Sequence, residues 1–189
     1  MARLLLVTGG SRSGKSAYAQ QLAESLPGPR AFVATCPPLD DEMRVRVRRH
    51  RQARRGNQWR TIEEPIDLPA ALRSAQRQRV VLVDCLTLWV NNLLYQAGQH
   101  GKIISESQMV RHCRQVLAAC REHPGTVIFV TNEVGMSVVP ENALARRYRD
   151  LVGRANQTIA AASDRVFLLV CGQPLELRTQ RLELRKTKP

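Results

Sequence analysis

The sequence predicts an α/β fold in three layers, a mostly parallel sheet with helices on both faces. Three observations carry that expectation. Residues 9–16 read Gly-Gly-Ser-Arg-Ser-Gly-Lys-Ser, filling every position of the phosphate-loop pattern G-x-x-x-x-G-K-[ST]. A continuous apolar run at residues 80–83 suits a parallel strand covered on both sides. Strand-like and helix-like segments alternate along the whole chain, as a doubly covered parallel sheet requires. Together these point to a phosphate-loop NTPase-type fold. A chain of 189 residues, 43% apolar and only 4% aromatic, is long enough for one well-buried domain and short for two. That domain is assigned to residues 1–177, with residues 178–189 as a basic C-terminal tail.

Taken in order, residues 3–8 form the first strand and residues 15–26 the first helix, which Pro27-Gly28-Pro29 stops. Residues 31–34 make a short buried strand that ends in Thr35-Cys36 before the Pro37-Pro38 turn. Asp40, Asp41 and Glu42 then put acidic groups in the first turn of a helix, where the macrodipole favours them. That helix runs to about Arg55 and breaks at Gly56-Asn57. Residues 59–62 are a brief strand, residues 68–75 a short helix, and the run at 80–83 a strand closed by Asp84. Residues 86–97 are helical. A clean helical stripe follows in Met109, Val110, Cys113, Val116, Leu117 and Cys120. The strand at 126–130 leads into Thr131-Asn132-Glu133 and a loop up to Pro140. Leu144, Tyr148, Leu151, Val152, Ala155 and Ile159 mark one face of a long helix, which Glu141-Asn142 can cap. Residues 166–170 form the last strand.

The glycine-rich loop has a direct chemical reading. Gly9 and Gly14 let the backbone turn tightly, so that Gly9, Gly10, Ser11, Arg12, Ser13 and Gly14 aim N–H groups at one anionic site before a helix N-terminus. Lys15 reaches the β- and γ-phosphates, and the Ser16 hydroxyl holds Mg²⁺. Asp84, ending an apolar strand, sits where a Mg²⁺-organising carboxylate belongs, although Asp is equally a favoured helix N-cap. A second constellation lies on the helix expected at 40–55. Met43, Val47 and His50 share one face, and Arg46, Arg49, Arg51, Arg54 and Arg55 surround the imidazole. Neighbouring positive charge keeps an imidazole neutral and nucleophilic. The same run also reads as a solvated basic face that happens to include a histidine.

The net charge is +13, with 29 Lys and Arg against 16 Asp and Glu, and it predicts attraction to polyanions. The first basic block, residues 44–60, lacks interleaved aromatic residues, which argues against a base-stacking surface. No nucleic-acid partner is therefore expected, and a nucleic-acid-binding ATPase is the reading left for steep salt dependence to reveal. The five cysteines form no C-x-x-C pair; Cys113 and Cys120 read as small core residues in a reducing, cytoplasmic compartment. No apolar run approaches the ~20 residues of a membrane span. The start runs straight into a core strand, so no signal peptide is expected.

Taken together, several segments resemble one family. They are the loop at 9–16, Ala34-Thr35-Cys36, Leu39 to Met43, His50 before Trp59-Arg60-Thr61, and Asp84-Cys85-Leu86-Thr87. Further on come Thr131-Asn132-Glu133-Val134-Gly135-Met136, Val139-Pro140-Glu141-Asn142, and Gly153-Arg154-Ala155-Asn156-Gln157. Over residues 3–177 the chain closely resembles the bifunctional adenosylcobinamide kinase/adenosylcobinamide-phosphate guanylyltransferase family of cobalamin biosynthesis. That resemblance implies two reactions. The γ-phosphoryl of ATP or GTP goes to the hydroxyl of the aminopropanol arm of adenosylcobinamide. A histidine then attacks the α-phosphate of GTP to form a covalent histidine–GMP species, and the cobinamide phosphate takes the GMP. By position that histidine is His50. The resemblance places nucleotide at the loop, at Ala34, Thr35 and Cys36, near Arg54 and Arg55, and at Glu63 and Asp84. It implies a homotrimer. The competing expectation is a plain phosphate-loop small-molecule kinase in which His50 is structural.

Overall fold

A computed structural model of the chain describes residues 2–36 and 59–177. Its strands are β1 (Arg3–Gly9), β2 (Arg30–Ala34), β3 (Trp59–Glu63), β4 (Val80–Asp84), β5 (Thr126–Val130), β6 (Arg165–Val170) and β7 (Gln173–Leu177). They form one sheet in the order β3-β2-β4-β5-β1-β6-β7. Every pairing is parallel except β6 with β7, which is antiparallel. The described helices are α1 (Lys15–Ser25), α2 (Leu68–Ser74), α3 (Leu86–Gln99), α4 (Glu106–Glu122) and α5 (Ala143–Ala162). The helix expected at 40–55 and the basic tail at 178–189 lie outside the described residues.

The layering follows from residue alternation on the strands. Leu4 and Leu6 of β1 face one core with Val81 and Val83 of β4 and Val127 and Phe129 of β5. Leu5 and Val7 face the other with Leu82, Ile128 and Val130. The first face is covered by α2, α3, α4 and α5, through Leu72, Trp89, Met109, Cys113, Leu151 and Ile159 among others. The second takes Ala19 and Ala23 of α1. Apolar side chains on both faces explain why the central strands read as unbroken hydrophobic runs. Cys113 and Cys120 are fully buried, their thiols pushed up to about 12 by desolvation, as core residues rather than ligands. Trp89 is likewise core, its indole N–H donating to Ile66 O at 2.8 Å.

Two expectations are corrected. The strand at 166–170 is not the last: Cys171 and Gly172, both at positive φ (51° and 78°), turn the chain into β7. All five β7 residues are exposed and Pro174 interrupts the pattern, so no burial signal marks it in the sequence. Arg165 pins the hairpin, its Nε and Nη2 donating to Glu176 at 2.8 and 2.6 Å. Leu144 does not join the apolar face of α5; it is 67% exposed, and the buried stripe gathers at Leu151, Val152, Ala155 and Ile159. Asn142 does cap that helix, its Oδ1 accepting from Ala145 N at 3.1 Å. Among the described residues no helix is long and apolar enough to cross a membrane.

Candidate functional site

The loop between β1 and α1 folds as its glycines allow. Gly14 occupies the N-cap of α1 in the left-handed region (φ 91°), with no side-chain cap. The first N–H groups of α1 therefore face the loop uncapped by a side chain, as anion binding at a helix start requires. Lys15, only 9% exposed, folds back over the loop and donates from Nζ to Gly10 O at 2.9 Å. Ser13 N donates to the same carbonyl at 3.3 Å. Ser13 Oγ is buried without a hydrogen-bond partner among the described residues, leaving a hydroxyl donor over inside the loop. The tip of the β6–β7 hairpin braces the turn from below, Gly172 N donating to Ser13 O at 2.9 Å.

Gly9 has no room for a side chain. A Cβ there would stand 2.6 Å from Leu169 O and 2.7 Å from Ser13 Oγ, and the first of these is backbone of a central strand. Gly9→Ala is therefore expected to destabilise the fold by about 1–3 kcal/mol and to weaken nucleotide binding. Gly10 meets nothing within 4 Å, so Gly10→Ala is the matched control and should melt close to the parent. Thermal melts with and without GTP check both.

The strand ends beside the loop hold the other expected nucleotide residues. Ala34 of β2 is in register with Glu63 of β3 on one side and Asp84 of β4 on the other. Asp84 in turn aligns with Val130, and Val130 with Val7 of β1, so one row crosses the C-terminal edge of the sheet. Ligands collect at such edges. Along this row Glu63 is four strand spacings from β1, about 19 Å, and Asp84 two, about 10 Å. Glu63 is exposed and Asp84 half-buried. Asp84 is not the helix cap that it might have been by residue type: Cys85 holds the N-cap position of α3.

Thr35 ties two strand ends together. Its Oγ1 donates to Cys85 O at 2.8 Å and accepts from Cys85 N at 2.7 Å, and it is fully buried. Asn92 adds a donation to Thr35 O at 2.7 Å. The Asp84–Cys85 peptide between these groups is cis. Burial, then the Asp84 charge, pushes the Cys85 thiol up to about 11, so it stays a neutral hydrogen-bonding group beside Thr87. Cys36 is half-buried next to Thr35.

Asn132 and Glu133, which the sequence places at a strand's C-terminal end, where ligands collect or loop-shaping hydrogen bonds form, belong to a polar cluster after β5 in which the part of Asn156 went unread. Asn156, 7% exposed on the inner face of α5, accepts from Thr131 Oγ1 at 2.7 Å. Its Nδ2 donates to Asn132 O and to Glu133 Oε1, both at 3.0 Å. Glu133 Oε1 also accepts from Thr8 Oγ1 at 3.2 Å, while Glu133 N donates to Gly9 O at 3.1 Å. Asn132 Nδ2 reaches Thr87 Oγ1 at 2.8 Å. The available signal was a lone amide inside an otherwise apolar helix face, which a buried network explains better than solvent does. The structure thus brings the loop, Ala34, Thr35, Cys36, Glu63 and Asp84 to one sheet edge. His50, Arg54 and Arg55 lie outside the described residues. Among those described, no cluster of three or more His, Cys, Asp or Glu side chains forms a metal site.

The chain is similar to several known proteins over nearly its whole length. A family model described as cobinamide kinase / cobinamide phosphate guanyltransferase matches residues 5–177. The chain is 43% identical over 179 residues to the bifunctional adenosylcobalamin biosynthesis protein CobP of Pseudomonas aeruginosa, covering 94% of this chain and 98% of that one. It is 40% identical over 185 residues to the bifunctional adenosylcobalamin biosynthesis protein CobU of Escherichia coli, covering 93% and 99%. The CobU of Salmonella typhimurium is 39% identical over 182 residues. Among solved structures, a KaiC-like protein of Pyrococcus horikoshii superposes with a TM-score of 0.50 at 14% identity, over 88% of this chain and 70% of that one, a likeness of fold alone.

Proposed function

The chain belongs to the cobinamide kinase / cobinamide phosphate guanyltransferase family, and from that premise we propose that it carries out both reactions. It phosphorylates adenosylcobinamide with ATP or GTP, then transfers GMP from GTP to the product, giving adenosyl-GDP-cobinamide. The observation that carries this reading is a family match running through the whole phosphate loop and every strand end at the site. Residues 1–177 are the catalytic domain, and the protein acts as a cytoplasmic homotrimer, which light scattering on the purified chain tests.

The loop supports the triphosphate. Its backbone N–H groups stand at an α1 start that no side chain caps, and the Lys15 ammonium already folds over the loop onto Gly10 O. Mg²⁺ suits the donor set, because Ser16 and Asp84 offer one hydroxyl and one carboxylate, and this ion takes its remaining ligands from phosphate and water. Bound there, it would neutralise charge on the phosphate oxygens. In the second half-reaction His50 supplies the nucleophile. Its nitrogen forms a bond to the α-phosphorus as the bond to the bridging oxygen breaks and pyrophosphate leaves. An oxygen of the cobinamide phosphate then attacks the same phosphorus and releases the imidazole.

Incubating the protein with GTP labelled at the α-phosphate tests this reading. Label should stay on the protein in base and be lost in acid, as a phosphoramidate requires. A protein that phosphorylates adenosylcobinamide yet never takes the label is instead a kinase with a structural His50.

A further inference from the structure

The two half-reactions make different demands on protons. A hydroxyl attacking the γ-phosphorus must lose its proton, so phosphorylation needs an acceptor. Neutral imidazole and an ionised phosphate monoester attack with lone pairs already free, so guanylyl transfer needs none. We propose that Glu133 is the proton acceptor for phosphorylation, and that guanylyl transfer proceeds without it. This rests on the bifunctional reading above.

Position selects Glu133 among the carboxylates at the sheet edge. It lies three residues beyond β5, the strand next to β1, and its own N–H donates to Gly9 O at 3.1 Å, fixing it against the start of the phosphate loop. Glu63 ends a strand four spacings from β1, about 19 Å, and Asp84, which the reading above gives to Mg²⁺, is two spacings from it. The carboxylate is also held in one orientation. Its Oε1 accepts from Thr8 Oγ1 at 3.2 Å and from Asn156 Nδ2 at 3.0 Å. Its Oε2 receives no hydrogen bond among the described residues, and the side chain is half-buried, so one oxygen is anchored and the other remains for a substrate. A general base needs that arrangement: a fixed carboxylate with an unoccupied lone pair within reach of the transferring group.

The step balances. The hydroxyl oxygen of adenosylcobinamide bonds to the γ-phosphorus, the β–γ bridging bond breaks and its electrons leave with the nucleoside diphosphate. The hydroxyl proton passes to Glu133 Oε2.

Glu133→Gln tests the proposal, because the amide oxygen can still accept from Thr8 while the basic oxygen is gone. Phosphorylation of adenosylcobinamide and conversion of chemically supplied adenosylcobinamide phosphate to adenosyl-GDP-cobinamide are measured separately, with acid-labile labelling of His50 alongside. Phosphorylation should fall about 100-fold or more, with labelling and transfer within about threefold of the parent. If both halves fall together, Glu133 serves the shared loop and the assignment is wrong; if neither falls, another group takes the proton. Should Glu133→Gln fail to fold, Glu133→Ala is read by the same criteria. A parent protein that phosphorylates but takes no label removes the transfer half while leaving Glu133 testable on phosphorylation alone. A parent without phosphorylation sinks the proposal outright.

Discussion

Lys15→Ala is expected to slow both half-reactions by about 100- to 1,000-fold. In the absence of nucleotide the ammonium folds over the loop and donates to Gly10 O. With triphosphate in the loop the same charge faces the oxygens that gain negative charge as either phosphorus reacts. On the proposal that one loop serves both reactions, both should suffer. Steady-state assays of each half, with a thermal melt of the same preparation, check this. A variant impaired in only one half would mean that the two triphosphates do not share Lys15.

His50→Ala should divide the activities that Lys15→Ala lowers together. Covalent GMP should disappear, and adenosyl-GDP-cobinamide formation should fall at least about 1,000-fold, because deleting a nucleophile removes a whole bond-forming route rather than one stabilising contact. Phosphorylation should stay within a few-fold of the parent, since no step of it uses the imidazole. The measurement is the pair of product assays together with acid-labile label on the protein. If the variant still makes adenosyl-GDP-cobinamide at the parent rate, the cobinamide phosphate attacks GTP directly and no protein-bound GMP lies on the route.

What the sequence disclosed about this molecule depended on how locally each feature is encoded. The strands β4 and β5 were legible because residues 80–83 and 127–130 are buried on both faces, so those side chains must be apolar. The phosphate loop was legible because its glycine spacing is itself the geometry. β7 has neither property: exposed throughout and paired only with β6, it owes its form to a two-residue turn. Thr35 and Cys85 are 50 residues apart and meet only because β2 lies beside β4, a fact of strand order that no local window contains. The part played by Asn156 was hidden for the same reason, since its partners follow β5 while it sits on α5. Leu144 shows the opposite error, where periodicity continued past the end of the packed surface.

The course of β7 has a practical side. It returns antiparallel along β6, so that Leu177 pairs with Val166, near the start of β6 and away from the edge where Gly9, Asp84 and Glu133 gather. The described fold is thus left from the rear of the sheet. A sensor surface or fluorophore tethered just beyond Leu177 would hold the molecule by its back, with the triphosphate entrance turned toward bulk solution.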